Sequence, residues 1–179
     1  NAGYIRYYAK YNAEKDKEAI DRLNGLYLVI FMIIGLIALI CGLGVSFNLD
    51  YVFSTGLTPD EYTTARVLAI LTTVNLAVSF PASVFSTIIS AHEKFVVLKL
   101  LAMIRSVATP AIMIPVLYYG YKSVAMVSVT VILSLLVDFC YYLYCRKILK
   151  IKFCFNNFEK GILAGLFAYT FFIAINGVF

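Results

Sequence analysis

Residues 61–95 read EYTTARVLAILTTVNLAVSFPASVFSTIISAHEKF, and this stretch decides how the whole chain is read. From Val67 to Ser90 it carries no charged side chain, a length sufficient to cross the hydrocarbon core of a bilayer as a helix. Thr72, Asn75, Ser79, Ser83, Ser86 and Ser90 recur at helical intervals and so share one face, while Leu71, Val74, Val78, Phe85 and Ile89 fall on the other sides. Pro81 lies within this run. Without an N–H it cannot bond the carbonyl of Ala77, and a bend is expected there. Two compatible readings of the polar line are open. Small hydroxyl side chains allow close approach of membrane helices and bond back to their own backbone; the same line, with Asn75 at mid-span, can also face a water-filled cavity.

The composition supports the membrane reading. The chain is 62% hydrophobic and 14% charged, and its aromatic residues (16%) include no Trp, which leaves the interfacial positions to Tyr and Phe. An all-α integral membrane protein, a polytopic helical bundle, is the expected fold. The chain starts at Asn1 rather than Met and ends at Phe179 within an apolar run, so an internal piece of a larger protein is expected. Cys41, Cys140, Cys145 and Cys154 lack ligand-like spacing and His92 is the single histidine, so they are read as free thiols, with no metal site and no cofactor.

Outward from the central stretch, the chain divides into a polar N-terminal part, 1–25, and a transmembrane bundle, 26–179. In the first part Tyr4, Tyr8 and Tyr11 share a helical face, as at the headgroup end of a preceding membrane helix. Asn12–Asn24, with interleaved acids and bases, reads as a solvated cytoplasmic connection running into the next helix. Spans are expected at about 26–47, 62–91, 96–118, 123–145 and 160–179. In the first span Gly35, Ala38 and Gly42 form a small-residue face for a neighbouring helix. Before the second, Thr58-Pro59-Asp60-Glu61 has the form of a capped helix start.

The third span holds Arg105, about 13 Å deep when counted at 1.5 Å per residue from Val96. A central Arg costs about 2.5–3.5 kcal/mol on insertion scales and normally faces a bundle interior or water. Pro110 and Pro115 follow it, and together with Pro81 they are candidate hinges. The fourth span bears Asp138 on a face shared with Thr130, Ser134 and Tyr141. The last begins with Gly161-x-x-x-Gly165, a pattern common by chance in membrane helices.

With the N-terminal segment inside, twelve Lys and Arg residues lie on the cytoplasmic side, Arg66 and Lys122 lie outside, and Arg105 is buried. This positive-inside bias agrees with five alternating spans. The net charge of +5 therefore speaks to topology and anionic lipid headgroups and not to nucleic acid. Catalysis is not expected. The spans lack a carboxylate pair, a His cluster, an activated nucleophile or a phosphate-cradling glycine loop. They supply instead a buried cation able to attract an anionic headgroup through Arg105, polar lines able to wet a cavity, and Asp138 as a candidate ion-coupling site. A structural ion pair between Arg105 and Asp138 is the competing reading.

Three phrases carry a family resemblance: IRYYAKYNAEKDKE (5–18), NLAVSFPASVFSTIISAHEKF (75–95) and YYGYKSVAMVSVTVILSLLVDFCYYLYCRKILKIK (118–152). With them the chain resembles polysaccharide flippases of the O-antigen translocase type, within the MATE-like multidrug/oligosaccharidyl-lipid/polysaccharide exporter superfamily. The resemblance implies most of the N-terminal lobe of a two-lobed protein in the bacterial inner membrane. It implies movement of undecaprenyl-pyrophosphate-linked oligosaccharides to the outer leaflet, driven by a proton or sodium gradient, alongside polysaccharide polymerase and chain-length proteins. On that reading Arg105 holds the pyrophosphate while Asn75, Ser79 and Ser83 line the sugar path; Asp138 matches no known coupling residue of the family. Alternatives are a multidrug or peptidoglycan-precursor exporter of the same superfamily, a non-transporting scaffold for polysaccharide assembly, and an intramembrane glycosyltransferase.

Overall fold

In a computed structural model the chain is described over residues 2–48, 59–118 and 123–154. Five helices follow in order: α1 (Ala2–Ala13), α2 (Lys17–Phe47), α3 (Pro59–Ala91), α4 (Phe95–Tyr118) and α5 (Ser123–Lys147). No strand occurs among the described residues. The helices α2 to α5 are each long and apolar enough to cross a membrane. The span expected at 160–179 and the cap at Thr58 lie outside the described residues.

The central helix is α3, which packs against α1, α2, α4 and α5; α4 rests mainly on α5. Packing is closest along α2, where glycines let backbones meet. A methyl group placed on Gly35 would stand 2.6 Å from the Ala77 carbonyl oxygen and 3.4 Å from Pro81 Cδ, and one on Gly42 would collide with the Thr73 side chain. The small-residue face of α2 therefore lies against α3, as its spacing leads one to expect. Gly35 also meets the carbonyl that Pro81 leaves without a helical donor. A Cα hydrogen of Gly35 takes the place a methyl would occupy, a contact of the weak C–H···O type.

Elsewhere the large apolar side chains are turned outward. Met32, Ile33, Leu36, Ile37 and Ile40 on α2, and Met103, Val107 and Ile114 on α4, are exposed, and no described residue of α4 is buried. Such a surface is costly in water and suits a lipid surrounding.

The connection runs into the next helix well before the apolar span expected from 26, because α2 already begins at Lys17. Asp16 caps it: its side chain accepts from Ala19 N–H at 3.0 Å, an interaction worth about 1 kcal/mol. Asn24 is 1% exposed and accepts a 2.5 Å hydrogen bond from the Tyr4 hydroxyl, which pins α1 to α2. Tyr4, Leu23, Leu26, Tyr27, Val84, Ile88, Ile89 and Cys145 then form a buried cluster joining α1, α2, α3 and α5 at one end of the bundle. Tyr4→Phe leaves the Asn24 oxygen buried without its donor, and a loss of about 1–3 kcal/mol is expected in unfolding of the detergent-solubilised protein. Adding Asn24→Leu to Tyr4→Phe removes that orphan, so the double variant is expected to be more stable than the sum of its singles.

At the same end the chain beyond α5 turns back. Lys150 adopts a left-handed conformation (φ 49°), and the following residues run to α2, where Cys154 N–H donates to the Asp21 carbonyl at 3.1 Å. Gly25 admits this return, since a Cβ there would collide with the Cys154 carbonyl.

Candidate functional site

Three of the residues singled out in the spans fall at one level of the bundle. Arg105 is ten residues into α4, Pro81 ten residues before the end of α3, and Asp138 nine residues before the end of α5. Each is therefore about 13–15 Å from that end at 1.5 Å per residue. The register of α3 against α5 agrees. Phe85 meets Tyr142 edge-on at 5.4 Å between ring centroids, and the Cys145 thiol donates to the Phe85 carbonyl at 3.5 Å. One turn further into the bundle from this contact lie Pro81 on α3 and Asp138 on α5.

Arg105 and Asp138 are both half-buried. No ion pair within 4.0 Å joins Arg105 to Asp138. One Asp138 oxygen, Oδ2, is buried without a hydrogen-bond partner. A sealed structural ion pair is therefore not what the geometry contains. It holds a cation and a carboxylate at one level, with an open acceptor between helices.

The polar line of α3 lies away from α2. Thr73, Ala77 and Pro81 belong to the α2 contact, whereas Asn75, Ser79, Ser83, Ser86 and Ser90 are half-buried on a different side and Thr72 is exposed. Three of the hydroxyl protons are spent locally. Thr72 donates to the Leu68 and Ala69 carbonyls (2.8 and 3.0 Å), Ser83 to Phe80 (2.7 Å), and Ser86 to Ser83 (2.9 Å). Back-bonding of this kind is the packing reading of the line. It also has a chemical consequence: a hydroxyl whose proton is committed presents only lone pairs outward. The amide oxygen of Asn75 is likewise buried with no donor. Asn75 Oδ1 on α3 and Asp138 Oδ2 on α5 are thus both buried acceptors without donors.

Of the other α4 residues, Thr109 donates back to the Arg105 carbonyl at 2.7 Å. Pro110 and Pro115 lie within a continuous helix and are exposed, as Pro81 lies within α3. Among the described residues no group of His, Cys, Asp and Glu could hold a metal ion. Arg66, which charge counting assigns to the far side of the membrane, has a buried Nε without a partner while its guanidinium stacks on Tyr62 at 5.2 Å. The i, i+4 spacing of Tyr62 and Arg66 is the one sequence signal that could have marked this pair. Compared with protein-family models, curated proteins and solved structures, the chain matches none.

Proposed function

We propose that this chain is part of a flippase that carries undecaprenyl-pyrophosphate-linked oligosaccharide across the bacterial inner membrane by alternating access, its N-terminal segment cytoplasmic and its helices forming most of one lobe. The observation that carries the reading is the Arg105 level: a guanidinium deep in a span, unpaired with the carboxylate at its level, beside helices whose buried oxygens lack donors. A pyrophosphate supplies the anion that a guanidinium grips through charge-assisted bonds. Sugar hydroxyls supply the donors that Asn75 and the outward lone pairs of Ser83 and Ser86 require, and Ser79 lies on the same line. Asp138, at the level of the guanidinium, is placed to couple an ion gradient to release of the phosphate. Pro81, Pro110 and Pro115 sit where the helices can bend as access alternates.

An exporter of cationic drugs on the same scaffold is disfavoured by a fixed cation at the centre. A non-transporting scaffold makes a different prediction: substitutions at Arg105 alter assembly and leave flux unchanged. The test is complementation of polysaccharide display by the full-length protein at matched membrane abundance. Arg105→Ala and Arg105→Glu are expected to lose display, and Arg105→Lys to keep part of it, because it retains the charge without the planar fork. Full display by both Arg105→Ala and Arg105→Glu defeats the assignment.

A further inference from the structure

A second polar site lies at the end of the bundle where α1, α3 and α5 finish, about 15 Å along the helices from Arg105. The returning segment after α5 closes a cleft of about 440 Å³ over the first turns of α2. Lys17 from α2 and Lys150 and Lys152 from the returning segment line it, with Asp21 as the carboxylate among the lining residues. None of the three ammonium groups has an ion-pair partner within 4.0 Å among the described residues; Lys152 acts on Asp21 electrostatically without closing a pair. Three cations thus face one carboxylate across an open space.

The remaining polar lining adds donors. Asn24 is 1% exposed and its oxygen is occupied by Tyr4, so it has only its N–H2 group to offer the cleft. Leu149, Ile151 and Ile20 supply apolar lining beside these groups. The position suits a headgroup. The apolar run of α2 begins at Leu26, directly after Asp21 and Asn24, so the cleft sits where hydrocarbon gives way to phosphate.

We infer that this cleft is a binding site for a phosphate-bearing headgroup, and that an anionic phospholipid of the surrounding leaflet fills it. Ammonium groups and an amide donor take the phosphate, and the isoleucine and leucine side chains take the glycerol and the start of the acyl chains. Basic pockets between membrane helices recognise anionic lipids by this chemistry. The site is separate from the flippase reading and stands or falls without it.

The experiment is lipid retention and titration on the full chain in phosphatidylcholine nanodiscs, with phosphatidylglycerol as the probe. Each Lys→Gln change at 17, 150 or 152 is expected to weaken binding roughly fivefold, and the triple variant about a hundredfold. Asp21→Asn is expected to tighten binding, because it removes the like charge. A control triple variant, Lys10→Gln/Lys94→Gln/Lys147→Gln, changes as much charge at the same end outside the cleft and is expected to have little effect. Equal losses in both triple variants, or weaker binding by Asp21→Asn, overturn the site. Glycerol phosphate and inorganic phosphate form the soluble arm. Retention of phosphatidylglycerol against both supports the lipid as occupant; displacement by either at low millimolar concentration overturns the lipid and reassigns the cleft to a free phosphate. Because the three lysines are exposed, thermal unfolding of the cleft variant is expected to match the parent, which separates lost binding from lost fold.

Discussion

Gly35→Leu is expected to yield no folded, monodisperse protein, whereas Gly44→Ala on the same helix is expected to be tolerated. The two glycines are chemically identical and nine residues apart on one apolar helix, so the contrast isolates packing. At Gly35 a methyl already stands 2.6 Å from the Ala77 carbonyl oxygen, and that oxygen belongs to backbone and cannot rotate away. At Gly44 a methyl meets nothing within 4 Å. Alanine at 35 must push α2 off α3, at a cost of about 1–3 kcal/mol. Leucine adds a branched chain to the same gap and separates the helices outright. Alanine at 44 relieves only the entropic penalty of a helical glycine and raises stability by about 0.5–1 kcal/mol. Pro81 sharpens the test. Since Ala77 has no helical donor because of Pro81, Pro81→Ala restores an N–H within α3 and leaves the Gly35 contact in place, so it is not expected to rescue Gly35→Ala. Fluorescence-detected size exclusion and thermal unfolding in detergent report all four variants. A Gly35→Leu protein that elutes and melts like the parent removes the claim that α2 and α3 meet backbone to backbone.

Patterns that repeat within one helix were legible in the sequence. The spacing of Gly35, Ala38 and Gly42 marks the face that α2 turns to α3, and the spacing from Thr72 to Ser90 marks a line that the structure keeps off that contact. Helical periodicity is local, so a single chain displays it directly. The start of α2 was harder to read, because the interleaved charges between Asn12 and Asn24 hide where the connection becomes helix, and the Asp16 cap sets it at Lys17.

Contacts between distant residues were not legible. Asn24 looks like one more polar residue in a charged connection until Tyr4, twenty positions earlier, is placed on its side-chain oxygen. The basic cleft depends on Cys154 reaching Asp21, and nothing in either local phrase announces that meeting. The lysines concerned were legible only as topology, because charge counting assigns a residue to a side of the membrane and not to a cavity. Arg105 and Asp138 fall between these cases. The depth of Arg105 along its helix could be counted; that Asp138 stands at the same level, with no ion pair closed between them, required the folded arrangement.

The double variant Arg105→Gln/Asp138→Asn is expected to fold as well as the parent and to move no substrate. Removing one charge alone leaves the other half-buried with a weakened electrostatic partner, so each single variant is expected to lose stability. The loss should fall below the ~3–5 kcal/mol of a sealed ion pair, because these groups are half-buried and not in contact. Removing both charges removes that conflict. The two losses should therefore not add, and the coupling energy of the cycle is expected at about 0.5–3 kcal/mol in favour of the double variant. Transport should behave differently. If Arg105 holds the pyrophosphate, no second substitution at Asp138 replaces it, and flux stays lost when stability returns. A purely structural pair gives the opposite outcome, with stability and flux recovering together. Thermal unfolding in detergent supplies one axis and polysaccharide display at matched membrane abundance supplies the other. Recovery of display in the stable double variant would falsify the assignment of substrate binding to Arg105.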